Sequence, residues 1–231
     1  MYQNYFGEES YRAGERRYLA RTYLVMAGGL VLTFVTSLLT ALFMPVHMQY
    51  SFSLSLILLL VQVLLAMSLG RAVARASYGT VVGMFILYSL VSGVSLSYIF
   101  VLYDIQRIFL CFIATATAFA AMAIIGFTTK RDLSPLAGVF FGGVIGLILL
   151  GIVGIFLRNA WFEVMISILG MVLFLGITAY DTQRLKEMYR AHGESALGRK
   201  LSVYAALQLY LDFINIFLYM IRIFGRSSRN R

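Results

Sequence analysis

The chain has 231 residues, 61% of them hydrophobic and 13% charged, with a formal net charge of +9. A soluble domain of this length cannot hide so much apolar surface. The single cysteine, Cys111, and two distant histidines, His47 and His192, exclude an internal disulfide framework and a Cys- or His-based metal cluster. In such a chain the basic excess reads as membrane topology, not as a nucleic-acid partner.

Taken in order, the first 21 residues are polar and carry Arg12, Arg16, Arg17 and Arg21. They are expected to form a cytoplasmic tail, residues 1–21. The apolar run that follows is too long for a signal-peptide core and lacks a small-residue cleavage site, so it reads as an uncleaved first span. Seven spans are expected in all, near 22–44, 52–73, 79–102, 107–126, 136–157, 161–183 and 201–223. The resulting organisation is an all-α membrane protein, a seven-helix transmembrane domain over 22–225 closed by a basic tail at 226–231.

Lys and Arg counts set the orientation. With the N-terminus inside, the inner segments hold the four N-terminal arginines, Arg71, Arg75, Lys130, Arg131, Arg184, Lys186, Arg190, Arg199 and Lys200. The outer loops hold only Arg107 and Arg158. That bias places the N-terminus in the cytoplasm. Arg222, Arg226, Arg229 and Arg231 break the pattern: either the tail is an exception after seven crossings, or the last segment is re-entrant. The first alternative is favoured.

Small residues recur every fourth position in two spans: Ser89, Gly93 and Ser97 in the third, Gly138, Gly142 and Gly146 in the fifth. Both stripes are expected to pack closely against other helices. Ser134 and Pro135 read as an N-cap and a first-turn proline opening the fifth span. Gln62 is expected to make a packing hydrogen bond, and Thr115 and Thr117 to bond their own helix backbone. Asp104 and Glu163 read as interfacial.

The last span holds the most informative residue. Asp212 lies at its centre, where a carboxylate costs roughly 2.5–3.5 kcal/mol on insertion scales. Tyr204, Gln208, Asp212, Asn215 and Tyr219 fall on one helical face opposite Leu, Ile and Phe, which predicts an inward-facing polar stripe. A second acid, Asp181, ends the sixth span. If that helix runs to about Arg190 and the last begins near Leu201, the two carboxylates lie roughly 14 and 16 Å below the hairpin tip. Two carboxylates sharing a low-dielectric site titrate as a unit, and one is expected to hold a proton at a raised pKa. The same oxygens suit Ca²⁺, so proton and cation compete.

The stretches LVSGVSLSYIFVLYD (90–104), AIIGFTTKRDLS (123–134), TAYDTQRLK (178–186) and ALQLYLDFINIFLYMIRIFG (206–225) resemble those of the Bax inhibitor family, in a bacterial form. The resemblance implies a seven-helix bundle with the last helix central, in the bacterial inner or plasma membrane. It implies a Ca²⁺ leak gated by pH through an aspartate pair, which by matched position is Asp181 and Asp212. It also implies an arginine latch from the second span, here Arg71 or Arg75. Thr178, Gln208 and Asn215 are the further candidates to line the site. Expected partners are membrane lipids and calcium ions, with no organic cofactor. The alternative function is an interaction protein that modulates a membrane-bound AAA protease or stress response without carrying ions. Tyr2, Tyr5, Phe6 and Tyr11 of the tail would be its handle. An intramembrane aspartyl hydrolase fits less well: Asp181 follows Tyr180, but Asp212 follows Leu211 and no GxGD pairing is present.

Overall fold

The computed structural model describes residues 2–45 and 51–225, with the side chains of 2–8 and 10 excepted. His47, the side chains of Tyr2, Tyr5 and Phe6, and Arg226, Arg229 and Arg231 lie outside the described residues. The helices are α1 (Tyr2–Phe43), α2 (Phe52–Arg75), α3 (Tyr78–Leu96), the short α4 (Ile99–Leu102), α5 (Ile105–Thr128), α6 (Ala137–Leu157), α7 (Ala160–His192) and α8 (Ala196–Phe224). A 3₁₀ turn, Ser134–Leu136, precedes α6, and no strand occurs among the described residues. Seven of these segments are long and apolar enough to cross a membrane. All seven expected spans are present, with shifted ends.

Those shifts have local causes. The N-terminal stretch expected as a tail is helical from Tyr2 and continuous with the first span. Ser77 caps α3, its Oγ accepting the Thr80 N–H at 3.2 Å, and Asn159 Oδ1 caps α7 by accepting the Trp161 N–H at 2.9 Å. Helix α7 ends where Gly193 takes a left-handed φ of +55°, its N–H bonding the Tyr189 carbonyl at 2.7 Å. Ser195 then caps α8 through the Gly198 N–H at 3.0 Å. The last helix therefore starts at Ala196, five positions before its hydropathic run. Ser134 is not the cap of the fifth span. Its N–H donates instead to Asp132 Oδ1 at 2.9 Å, and those bonds hold the exposed Asp132 carboxyl below the usual carboxylate range.

The chain divides into two compact units. The first runs up to Leu102 and includes Leu185–Tyr210. In it α1 and α2 both pack on α3. Gly93 lets α1 approach: an added Cβ would stand 2.6 Å from Thr36 Cβ and 2.8 Å from the Thr33 carbonyl oxygen. Thr33 Oγ1 donates to the Ser89 carbonyl and shares a 2.8 Å hydrogen bond with Tyr210 Oη. Phe85 and Tyr88 meet the Tyr210 ring edge to face. Gln62 donates to Ser92 Oγ at 3.5 Å, the expected packing bond. Tyr11 and Tyr18 stack against Tyr189.

The second unit is Tyr103–Arg184 with the chain from Leu211. Phe112 and Phe119 of α5 enclose Phe213 of α8. The fifth-span stripe corrects the sequence reading. Added Cβ atoms at Gly138, Gly142 and Gly146 would meet nothing within 4 Å. The close face of α6 is instead Gly143, against Leu173, and Phe140, against Gly176. Period-four glycine marks a face that can pack closely, but the two faces of so apolar a helix differ little in sequence.

Helix α8 is unbroken for 29 residues, about 43 Å at 1.5 Å per residue. Lys200 Nζ, near its start, donates to the Ala76 carbonyl at 3.1 Å. At its far end Arg107 donates to the carbonyls of Phe224 and Gly225 at 3.4 and 3.3 Å. Between these contacts α8 is a single helix long and apolar enough to cross a membrane. Two outcomes follow. In a Cys111→Ala background, Arg190→Cys and Ser228→Cys are expected to react with an impermeant maleimide from opposite faces of oriented vesicles. Gly93→Ala is expected to destabilise by about 1–3 kcal/mol, lowering the melting temperature in detergent, whereas Gly142→Ala leaves it unchanged or raised.

Candidate functional site: a buried carboxylate in the last helix

Helix α8 is the most buried span: 61% of its apolar stretch is buried, against 0% for α6. Burial is not confined to the polar stripe. Leu207, Tyr210, Phe213 and Ile216 are 0–3% exposed, while Tyr204, Gln208, Asn215 and Tyr219 are half-buried. Asp212 is the exception among the polar residues, at 3% exposed. Its Oδ2 is buried and has no hydrogen-bond partner. A buried polar atom of that kind needs a proton, a water or an ion to offset its desolvation.

The partner helix places the second acid. Gly170 and Phe174 of α7 both lie against Tyr219 of α8, with 6.1 Å between the Phe174 and Tyr219 ring centroids. Seven residues, about two turns, separate Phe174 from Asp181 and Tyr219 from Asp212. On antiparallel helices those steps lead to the same level and the same facing stripe. The charge of Asp181 accordingly acts on Asp212. The hairpin-tip count of the sequence reading does not survive, because Asp181 lies 11 residues before His192 and Asp212 16 after Ala196. The ring contact, not the tip, sets this register.

Arg184, one turn beyond Asp181, acts electrostatically on its carboxylate. Sequence reasoning looked for the counter-charge in the second span. Arg71 and Arg75 are exposed in the last turns of α2 and belong to the first unit, whereas both aspartates belong to the second. Thr178 is fully buried and its hydroxyl donates to the Phe174 carbonyl at 2.8 Å. Asn215 Nδ2 donates to the Leu211 carbonyl at 2.8 Å. Gln208, half-buried, lies in the first unit. Asp104 forms a 3.8 Å ion pair with Arg107, as an interfacial residue can.

Two further polar residues were misread or passed over. Thr117 bonds its own backbone at 2.9 Å, but the Thr115 hydroxyl is buried without a partner. Gln183 holds the α5–α6 connection with both ends of its side-chain amide. Its position four residues after Ala179 in TAYDTQ was the available signal. Among the described residues no three His, Cys, Asp or Glu side chains form a metal cluster.

Seven membrane-length helices define a polytopic membrane protein, and the last of them buries a carboxylate. The family described as "Inhibitor of apoptosis-promoting Bax1" matches residues 15–230, and the chain belongs to this Bax inhibitor family. It is 38% identical to the inner membrane protein YbhL of Escherichia coli K12, over 93% of each chain. It is 35% identical to an uncharacterised protein of Rickettsia prowazekii, over 94% of this chain and 92% of the relative. A Borreliella burgdorferi protein is 37% identical over 71% of both.

An unpartnered acid that serves a site, not the fold, should be dispensable for folding. Asp212→Asn is expected to melt no lower than the wild type in detergent. A fall in melting temperature would assign Asp212 a structural role.

Proposed function

We propose that the protein is a pH-sensitive calcium leak of the bacterial inner membrane, with its N-terminus in the cytoplasm. One observation carries the reading: an unpartnered carboxylate oxygen on Asp212, deep in the most buried helix and level with Asp181 on the facing helix. Two acids in a low-dielectric site repel when both are ionised, so the pair favours sharing a proton. A hard divalent cation relieves the same repulsion through oxygen ligation. Protons and Ca²⁺, the cargo, therefore compete for one site, and pH sets how often the cation enters. Arg184, one turn beyond Asp181, is a counter-charge beside the pair, and Arg71 or Arg75 stays the candidate latch of the second span. Thr178 and Asn215, of the same unit, each lie three residues from one of the acids. The family and the relative YbhL of the inner membrane support this setting.

Calcium flux into proteoliposomes across pH 6–8 tests the reading. Wild type is expected to pass Ca²⁺ with a pH dependence that Asp181→Asn and Asp212→Asn abolish. Flux and pH response identical in all three proteins would overturn it. The alternative, modulation of a membrane-bound AAA protease without ion conduction, predicts no flux in any of them.

A further inference from the structure

The TAYDTQ stretch of α7 has two faces. On one, Gly176 and Tyr180 lie against Phe140 of α6. Ala179 lies with its backbone against Gly126 of α5, closer than any side chain at that glycine would permit. Gln183, one turn on, completes this face. Its Oε1 accepts the Leu133 N–H at 2.8 Å and its Nε2 donates to the Arg131 carbonyl at 2.8 Å. The partners fix the amide's orientation, since an N–H requires the oxygen and a carbonyl requires the nitrogen. Glutamate cannot donate, and asparagine is one methylene short. Gly170, Phe174 and Thr178 run down the other face toward Asp181. Asp181 is two residues from Gln183, about 200° around the helix.

We propose that Gln183 is a positioning residue that locks the rotation of α7 and so aims the Asp181 carboxylate at Asp212. The proposal rests on the reading of that pair as the proton and cation site. A helix packed by rings and small residues alone can slide about its axis. Two hydrogen bonds to the connecting backbone, on the side opposite Asp181, stop that motion. The charged groups near this arrangement are Lys130, Arg131 and Asp132 of the connection, Arg184 on α7 and Asp212 on α8. None of the three in the connection is needed for the clamp, which uses backbone atoms only.

Gln183→Met keeps the length of the side chain and removes both bonds. The direct readout is the rate at which dicyclohexylcarbodiimide modifies Asp181 in the reconstituted full-length protein, followed by mass spectrometry. A change of threefold or more relative to wild type is expected, together with a displaced pH midpoint of Ca²⁺ flux. A Leu133→Cys/Gln183→Cys pair in a Cys111→Ala background, joined by a short bifunctional thiol reagent, is expected to restore the wild-type rate. Asp181 modification at the wild-type rate in Gln183→Met overturns the clamp, whatever the flux does. Altered modification in a protein that passes no Ca²⁺ at any pH leaves the clamp standing and removes the leak reading.

Discussion

A single carboxylate oxygen with nothing to accept from sets the terms for this molecule. Asp212 Oδ2 lies in the most buried of seven helices, where water cannot offset its desolvation. Around it the chain uses aromatic and small residues: Phe213 between Phe112 and Phe119, Tyr219 on Gly170, Gly126 on Ala179. Such packing brings helix backbones close without hydrogen bonds of its own.

Both units pair some of their buried polar atoms and leave others unpartnered. In the first, Thr33, Ser89, Ser92, Gln62 and Tyr210 pair with one another or with backbone. Helices tied in this way hold one arrangement, because each broken bond would leave a polar atom in an apolar interior. In the second, Asp212 and Thr115 both retain unpartnered atoms. Glu15, Tyr18 and Ser37 of the first unit retain such atoms too, so Asp212 is set apart by its acid group at mid-span and not by the unit that holds it.

Much of this was legible in the sequence. The spans follow from apolar run length, and Asp212 stood out because nothing else charged lies so deep in a span. Helix ends were less legible, because a cap such as Ser195 or a left-handed Gly193 outweighs hydropathy. The facing of α6 was misjudged for a related reason: an all-apolar helix offers little contrast between a packed side and an open one. The level of the two acids was reached by a tip count that the observed ends invalidate, while the deciding contact, Phe174 with Tyr219, is tertiary. Gln183 was visible in its motif, but its partners are backbone atoms of a distant connection, which no spacing rule reports.

The last helix is fastened at both ends, by Lys200 to the Ala76 carbonyl and by Arg107 to those of Phe224 and Gly225. A piston-like stroke along the membrane normal would have to detach one fastening or the other. Motions that leave both anchors in place are torsion and bowing of the middle turns, where Asp212 sits. Such movements are small and leave the two ends of the helix where they are.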